Sequence, residues 1–116
     1  MTITLYGINN CDTIRKAKRW LEDRDIDYQF HDYRKDGIST SQISSWADEL
    51  GWETLLNKRS TSWRNLDNAQ RDAINISTAI TLMSEQPTLI KRPLLDIDGA
   101  KLIGFDESQY SETFSK

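Results

Sequence analysis

The sequence predicts one α/β domain of order βαβ, a helical insertion, then ββα, and three observations carry that expectation. A β-branched and apolar run, Ile3-Thr4-Leu5-Tyr6, breaks at Gly7 and turns into a 3.6-residue pattern with Ile14, Ala17 and Leu21 on one face. Capping-box signatures at Ser39/Gln42 and Asp67/Gln70 then announce helices through the middle of the chain. Near the end, Asp98-Gly99 lies between Leu94-Leu95-Asp96-Ile97 and Leu102-Ile103, a strong hairpin signal.

Taken in order, the first strand and helix are followed by a polar connection from Asp23 to Asp27. Tyr28, Phe30 and Asp32 alternate with Gln29, His31 and Tyr33, which predicts a second strand over these six residues. A strand, helix and strand of this length form a right-handed unit with parallel strands. Cys11 then falls at the carboxyl end of the first strand, the side on which open α/β folds bind ligands. Asp36-Gly37 marks a turn. After Ser39, Ile43, Trp46, Ala47 and Leu50 make an amphipathic helix that Gly51 can stop, and Trp52, Leu55 and Leu56 suggest a further helical turn. Asn57 to Ser62 reads as polar connection containing Lys58 and Arg59. Behind Asp67, a second start at Asn75-Ile76-Ser77-Thr78 favours two short helices over one long one, both ending before Pro87. The hairpin returns through Leu102, Ile103 and Phe105. A last helix has Asp106 at its cap, Gln109 three residues on, and Phe105 placed to staple against Tyr110, with Phe114 four residues further.

With 116 residues, 37% hydrophobic and 28% charged, the chain suits a single globular domain, 1–116, with the helical insertion at about 38–86. No apolar stretch reaches the ~18–20 residues needed to span a bilayer, so no membrane partner is expected. The sequence opens on strand-like residues without a signal peptide's apolar segment, which makes the cytoplasm the expected compartment. Net charge is −3 and the basic residues beyond the first helix are scattered, which argues against direct nucleic-acid binding. One cysteine excludes an internal disulfide. One histidine, His31, with no ligand pair at metal-binding spacing, argues against a metal site.

Cys11 stands where strand turns into helix. The first turn of a helix offers unpaired N–H groups and the positive end of its dipole, both of which favour a thiolate. The alternative for a lone cysteine is core packing. Against that, Cys11 lies in a polar turn of Asn9, Asn10, Asp12 and Thr13, and the next turn carries Arg15, Lys16, Lys18 and Arg19. Positive charge and helix-start donors both lower a thiol pKa. Asn10 and Thr13 are candidates to orient the turn, whereas Asp12 places a negative charge nearby. Trp20, Trp46, Trp52 and Trp63 read as packing residues.

The element order, with cysteine at the first strand–helix junction and proline just before the hairpin, resembles the thioredoxin fold. Leu5-Tyr6-Gly7 through Asn10-Cys11-Asp12-Thr13, the Leu55-Leu56-Asn57-Lys58-Arg59 region and Ile90-Lys91-Arg92-Pro93-Leu94 resemble the arsenate reductase family, glutaredoxin-linked type. Within it the chain looks most like the YffB branch, bacterial proteins linked to glutathione-dependent thiol reduction; the regulator Spx is a cousin. The resemblance places Cys11 on the nucleophilic cysteine, Arg92 on a family arginine, and Pro93 on a cis-proline facing the cysteine. Two further oxyanion-binding arginines of the arsenate enzymes correspond to Asn57, with Arg59 two positions on as a substitute, and to Gly104. A histidine near the cysteine corresponds to Gly7. These departures argue against efficient arsenate reduction.

A sulfur nucleophile attacking an oxidised sulfur or an oxyanion leaves a covalent adduct, and a second thiol must resolve it. Thioredoxins carry that thiol three residues after the first, where this chain has Ile14, and no other cysteine exists. Turnover therefore requires an outside thiol: glutathione, a glutaredoxin or another protein. The expected activity is a single-cysteine thiol reductase without a bound cofactor, acting on a small anionic substrate or a thiol-containing protein. Cys11 and Arg92 are its catalytic pair, with Asn10, Asp12, Thr13, Arg59, Arg92 and Pro93 as binding residues. The rival is a non-catalytic thioredoxin-like adaptor related to Spx.

Overall fold

The structure, a computed structural model, describes residues 2–8 and 11–114. The chain forms two compact units, one of residues 1–36 with 92–116, the other of residues 37–91.

The first unit is built on a four-stranded sheet of order β2-β1-β3-β4, comprising β1 (Ile3–Gly7), β2 (Gln29–Asp32), β3 (Leu94–Ile97) and β4 (Ala100–Ile103). β1 runs parallel to β2, with Leu5 opposite Phe30 and Gly7 opposite Asp32. It runs antiparallel to β3, with Leu5 opposite Leu95. Helix α1 (Asp12–Asp23) makes the crossover from β1 to β2. The expected apolar face is the one it buries: Ile14, Ala17, Trp20 and Leu21. Ile3, Leu5, Ala17, Trp20, Leu21, Leu95 and Tyr110 form the core of this unit. Each fully buried side chain of leucine size contributes about 1.5–3 kcal/mol, so this cluster is what keeps the strand–helix junction in place.

The second strand is shorter than its alternation suggests. It stops at Asp32, and Tyr33 opens a one-turn helix, α2 (Tyr33–Asp36). Asp32 causes the change: its carboxylate accepts the Arg34 N–H at 2.8 Å, the local bond by which aspartate starts a helix. Tyr33 is buried nonetheless. At the hairpin, Asp98 (φ 51°) and Gly99 (φ 98°) both take the left-handed conformation that a two-residue turn between twisted strands requires. Phe105 lies beyond β4 and packs edge-on against Tyr110 at 5.0 Å between ring centres. It thereby pins the start of the last helix, which follows α2 and the insertion helices as α8 (Glu107–Phe114).

The second unit is helical and lies in the chain between β2 and β3: α3 (Thr40–Leu50), α4 (Trp52–Leu55), α5 (Thr61–Arg64), α6 (Asn68–Asp72), α7 (Ile76–Glu85) and a 3-10 turn (Pro87–Leu89). Ser39 caps α3 by accepting the Gln42 N–H at 3.1 Å. Asp67 with Gln70 and Asn75 with Thr78 form complete capping boxes, which is why the chain makes two short helices here. The expected polar connection ends sooner than its composition suggests, because Ser60 accepts the Trp63 N–H and starts α5. Ile43, Trp46, Leu55, Leu56, Met83, Leu89 and Ile90 are fully buried or nearly so. No helix among the described residues is long and apolar enough to cross a membrane. The strand–helix arrangement is thioredoxin-like, with a helical insertion between the two halves of the sheet.

Candidate functional site

Cys11 is the N-cap residue of α1, with extended backbone (φ −111°, ψ 129°), and its carbonyl accepts the Arg15 N–H at 3.0 Å. It is half-buried and carries a free thiol. Three groups face the sulfur: the backbone N–H groups of Ile14 and Thr13, and the Arg92 guanidinium. No side-chain capping hydrogen bond forms at Cys11, and the two amides act on the thiol as helix-start donors that favour its charged form. Burial pushes the thiol up, but the amides and the Arg92 charge and N–H outweigh it, and the thiol is held below its ordinary value.

The positive charge that acts on Cys11 is thus not that of the first helix. Arg15 reaches back to Asp12, 3.1 Å away and largely exposed, and Lys18 lies over the Phe30 ring at 3.8 Å from its centre. The Asp12 carboxylate is therefore paired on the surface, which removes the expected conflict with a thiolate at the cap. Arg92 comes instead from the residue before β3. It is half-buried and precedes Pro93 through a cis peptide bond. Pro93 is buried, and its carbonyl accepts the Gly104 N–H at 2.8 Å, tying the loop before β3 to the end of β4.

Cys11, Thr13 and Arg92 are brought together. Asp12 is exposed beside them, and Asn10 lies outside the described residues. Arg59 belongs to the helical unit, where it is exposed. Its N–H donates to Asn57 Oδ1 at 3.1 Å and its carbonyl accepts from Arg64 at 2.9 Å. Asn57 uses its side chain to close that turn. Gly104 holds φ 80°, a left-handed backbone in which arginine would be strained. The Gly104 backbone is therefore not fitted for an anion-binding arginine.

The Ile14 amide on the sulfur is one of the helix-start donors expected once Cys11 is the cap. One feature escaped sequence reasoning: Tyr33, a buried side chain stacked 6.4 Å from Tyr6 and within electrostatic range of Arg92. His31 joins that aromatic group, 5.0 Å from Tyr6, as a packing residue.

Residues 6–113 match the model of the ArsC family. A protein of Haemophilus influenzae is 47% identical over 97% of this chain and 99% of its own length. The global transcriptional regulator Spx of Streptococcus pyogenes is 28% identical over 98% of this chain and 86% of its own. Among solved structures, a YFFB protein superposes with a TM-score of 0.91 at 43% identity, covering 96% of this chain and 97% of that one. An arsenate reductase (ArsC) related protein from Brucella melitensis gives 0.81 at 42%, covering 100% and 97%. A thioredoxin-like fold with a helical insertion, the family match over nearly the whole length, and likeness to both YFFB and Spx proteins together show that the chain belongs to the ArsC family.

Proposed function

We propose that this protein is a single-cysteine thiol reductase that draws its second thiol from glutathione or a glutaredoxin. The observation that carries this reading is the setting of Cys11, with two helix-start amides and the Arg92 guanidinium on a half-buried sulfur. The Cys11 thiolate attacks one sulfur of a disulfide or mixed disulfide; a new S–S bond forms, the old one breaks, and the departing thiolate takes a proton from water. An external thiolate then attacks the adduct, leaves as a disulfide and returns Cys11 to the thiolate. Each external thiol supplies one electron: with a glutathione mixed disulfide the product disulfide takes its other half from the glutathione already in the adduct, and any other disulfide consumes two external thiols in full reduction. No step within the chain can do this, because Cys11 is the sole cysteine.

In this scheme Arg92 binds the anionic part of the substrate or a glutathione carboxylate, for which its rigid fork of donors is suited. Thr13 contributes its amide, and Pro93 shapes the wall beside Arg92. Asn10 and Asp12 are further binding candidates in the turn around Cys11. Arsenate is a poor substrate on this reading, since Asn57 and Gly104 stand where further arginines would be needed. No cofactor is bound, and the protein works in the cytoplasm on a small disulfide or a protein mixed disulfide. The likeness to Spx favours one alternative, a thioredoxin-like adaptor that binds a protein partner and does not use its thiol.

The two readings separate in one experiment. Protein incubated with a glutathione mixed disulfide is quenched in acid and weighed intact, then supplied with fresh glutathione. A reductase shows an adduct on Cys11 that glutathione removes, with turnover lost in Cys11→Ser. An adaptor shows neither adduct nor turnover in the wild-type chain.

A further inference from the structure

The last residue of β1, Gly7, is buried and in extended strand conformation, so no backbone requirement demands glycine there. Space demands it. A Cβ added at Gly7 would overlap Ile14 Cδ1 outright, lie 3.0 Å from Ile14 Cγ1 and stand 3.9 Å from Phe30 Cε1. Cδ1 is the far end of a side chain and could swing aside in an open setting. Ile14 is fully buried, however, so any swing must displace other core atoms. The isoleucine side chain is therefore seated against the strand, in room that exists because residue 7 has no Cβ. Its own backbone N–H, on the third residue of α1, is one of the groups facing the Cys11 sulfur.

We propose that Ile14 is a positioning residue for Cys11: its side chain, seated in the space left by Gly7, holds the first turn of α1 so that the Ile14 amide stays on the sulfur. Gly7 and Ile14 thus work as socket and plug. The position three residues after the cysteine, unable to supply a second thiol, serves the first one through its backbone. This rests on the reading of Cys11 as a working thiolate, and the experiment separates the two.

Gly7→Ala, Ile14→Val, and Gly7→Ala with Ile14→Ala are made in the full chain. The rate of iodoacetamide alkylation is followed against pH, with the urea-unfolded chain as reference and thermal midpoints recorded beside it. The expected result is that Gly7→Ala moves the alkylation profile toward the unfolded one and slows alkylation at pH 6.5 by about two- to threefold. The double variant relieves the overlap but also removes the plug, so its profile stays shifted toward the unfolded one; a wild-type profile there overturns the proposal. If Gly7→Ala does not fold, Ile14→Val, which removes only Cδ1, carries the comparison, and a smaller shift in the same direction is expected. Variants that lower the thermal midpoint but keep the wild-type profile overturn the proposal alone, since a purely structural plug moves stability without moving the thiol. A wild-type profile that coincides with the unfolded chain's overturns the functional reading together with it.

Discussion

Arg92→Ala removes the one group on the Cys11 sulfur that carries a full charge and leaves both amides in place. A hydrogen bond to a charged partner contributes about 1.5–3 kcal/mol when dry. Cys11 is half-buried, so water recovers part of that, leaving about 1 kcal/mol. That is about a fivefold drop in thiolate fraction at any pH below the thiol's midpoint. A more basic thiolate is also a better nucleophile, with a Brønsted coefficient of about 0.4–0.5, which offsets roughly twofold. The rate with a neutral pyridyl disulfide should therefore fall about two- to threefold at low pH and rise about twofold once both thiols are fully ionised. The two pH–rate curves must cross. Glutathione disulfide, which carries carboxylates, should lose more than the neutral reagent across the whole range, because Arg92 also binds its charge. The thermal midpoint should stay near wild type at pH values where Cys11 is protonated, as Arg92 is not part of the buried core. Superimposed curves for the two proteins with both reagents would remove Arg92 from the mechanism.

Three other outcomes follow from the same structure. Because burial is outweighed and the folded thiol sits below its ordinary value, the unfolded chain binds more protons between those two values. Stability must therefore rise with pH through that window, and thermal midpoints of Cys11→Ser against wild type should show the slope vanish. Burial raises Tyr110 above its ordinary value, and its hydroxyl has no partner among the described residues. Above pH 10 the unfolded state loses that proton first and stability falls, so Tyr110→Phe should flatten the alkaline decline and, at neutral pH, hold or raise stability by up to about 1 kcal/mol in urea titrations. Leu95→Ala, at a fully buried position of β3 opposite Leu5, should cost about 3 kcal/mol by the same titration, with a cavity left in the sheet's core.

The parts of the fold legible in the sequence are those decided locally. The caps at Ser39, Asp67 and Asn75 and the Asp98-Gly99 turn act over three or four residues, and each formed where its side-chain chemistry placed it. Asp32 and Ser60 carried equally local signals, but one was hidden inside an alternating run and the other inside a polar stretch. The site divides in the same way. Cys11 at a strand–helix junction is readable from periodicity alone. Arg92 is not, since the sheet brings it from the far end of the chain, and it was reached through the family resemblance. The basic residues of α1 looked like the source of charge because they are near in sequence, yet helix geometry turns Arg15 to Asp12 and Lys18 to Phe30. Gly7 gives no signal by itself. Its smallness matters only once Ile14 is known to be packed against it.

The most direct test of the central claim is the pH dependence of Cys11 alkylation in the native protein, measured beside the same chain in urea. An activated thiolate predicts that native Cys11 reacts at pH values where the unfolded thiol is still protonated, with its midpoint clearly below the unfolded one. A native thiol that resists alkylation until the chain unfolds, or that titrates with the unfolded chain, would contradict the claim and leave Cys11 as a packing residue.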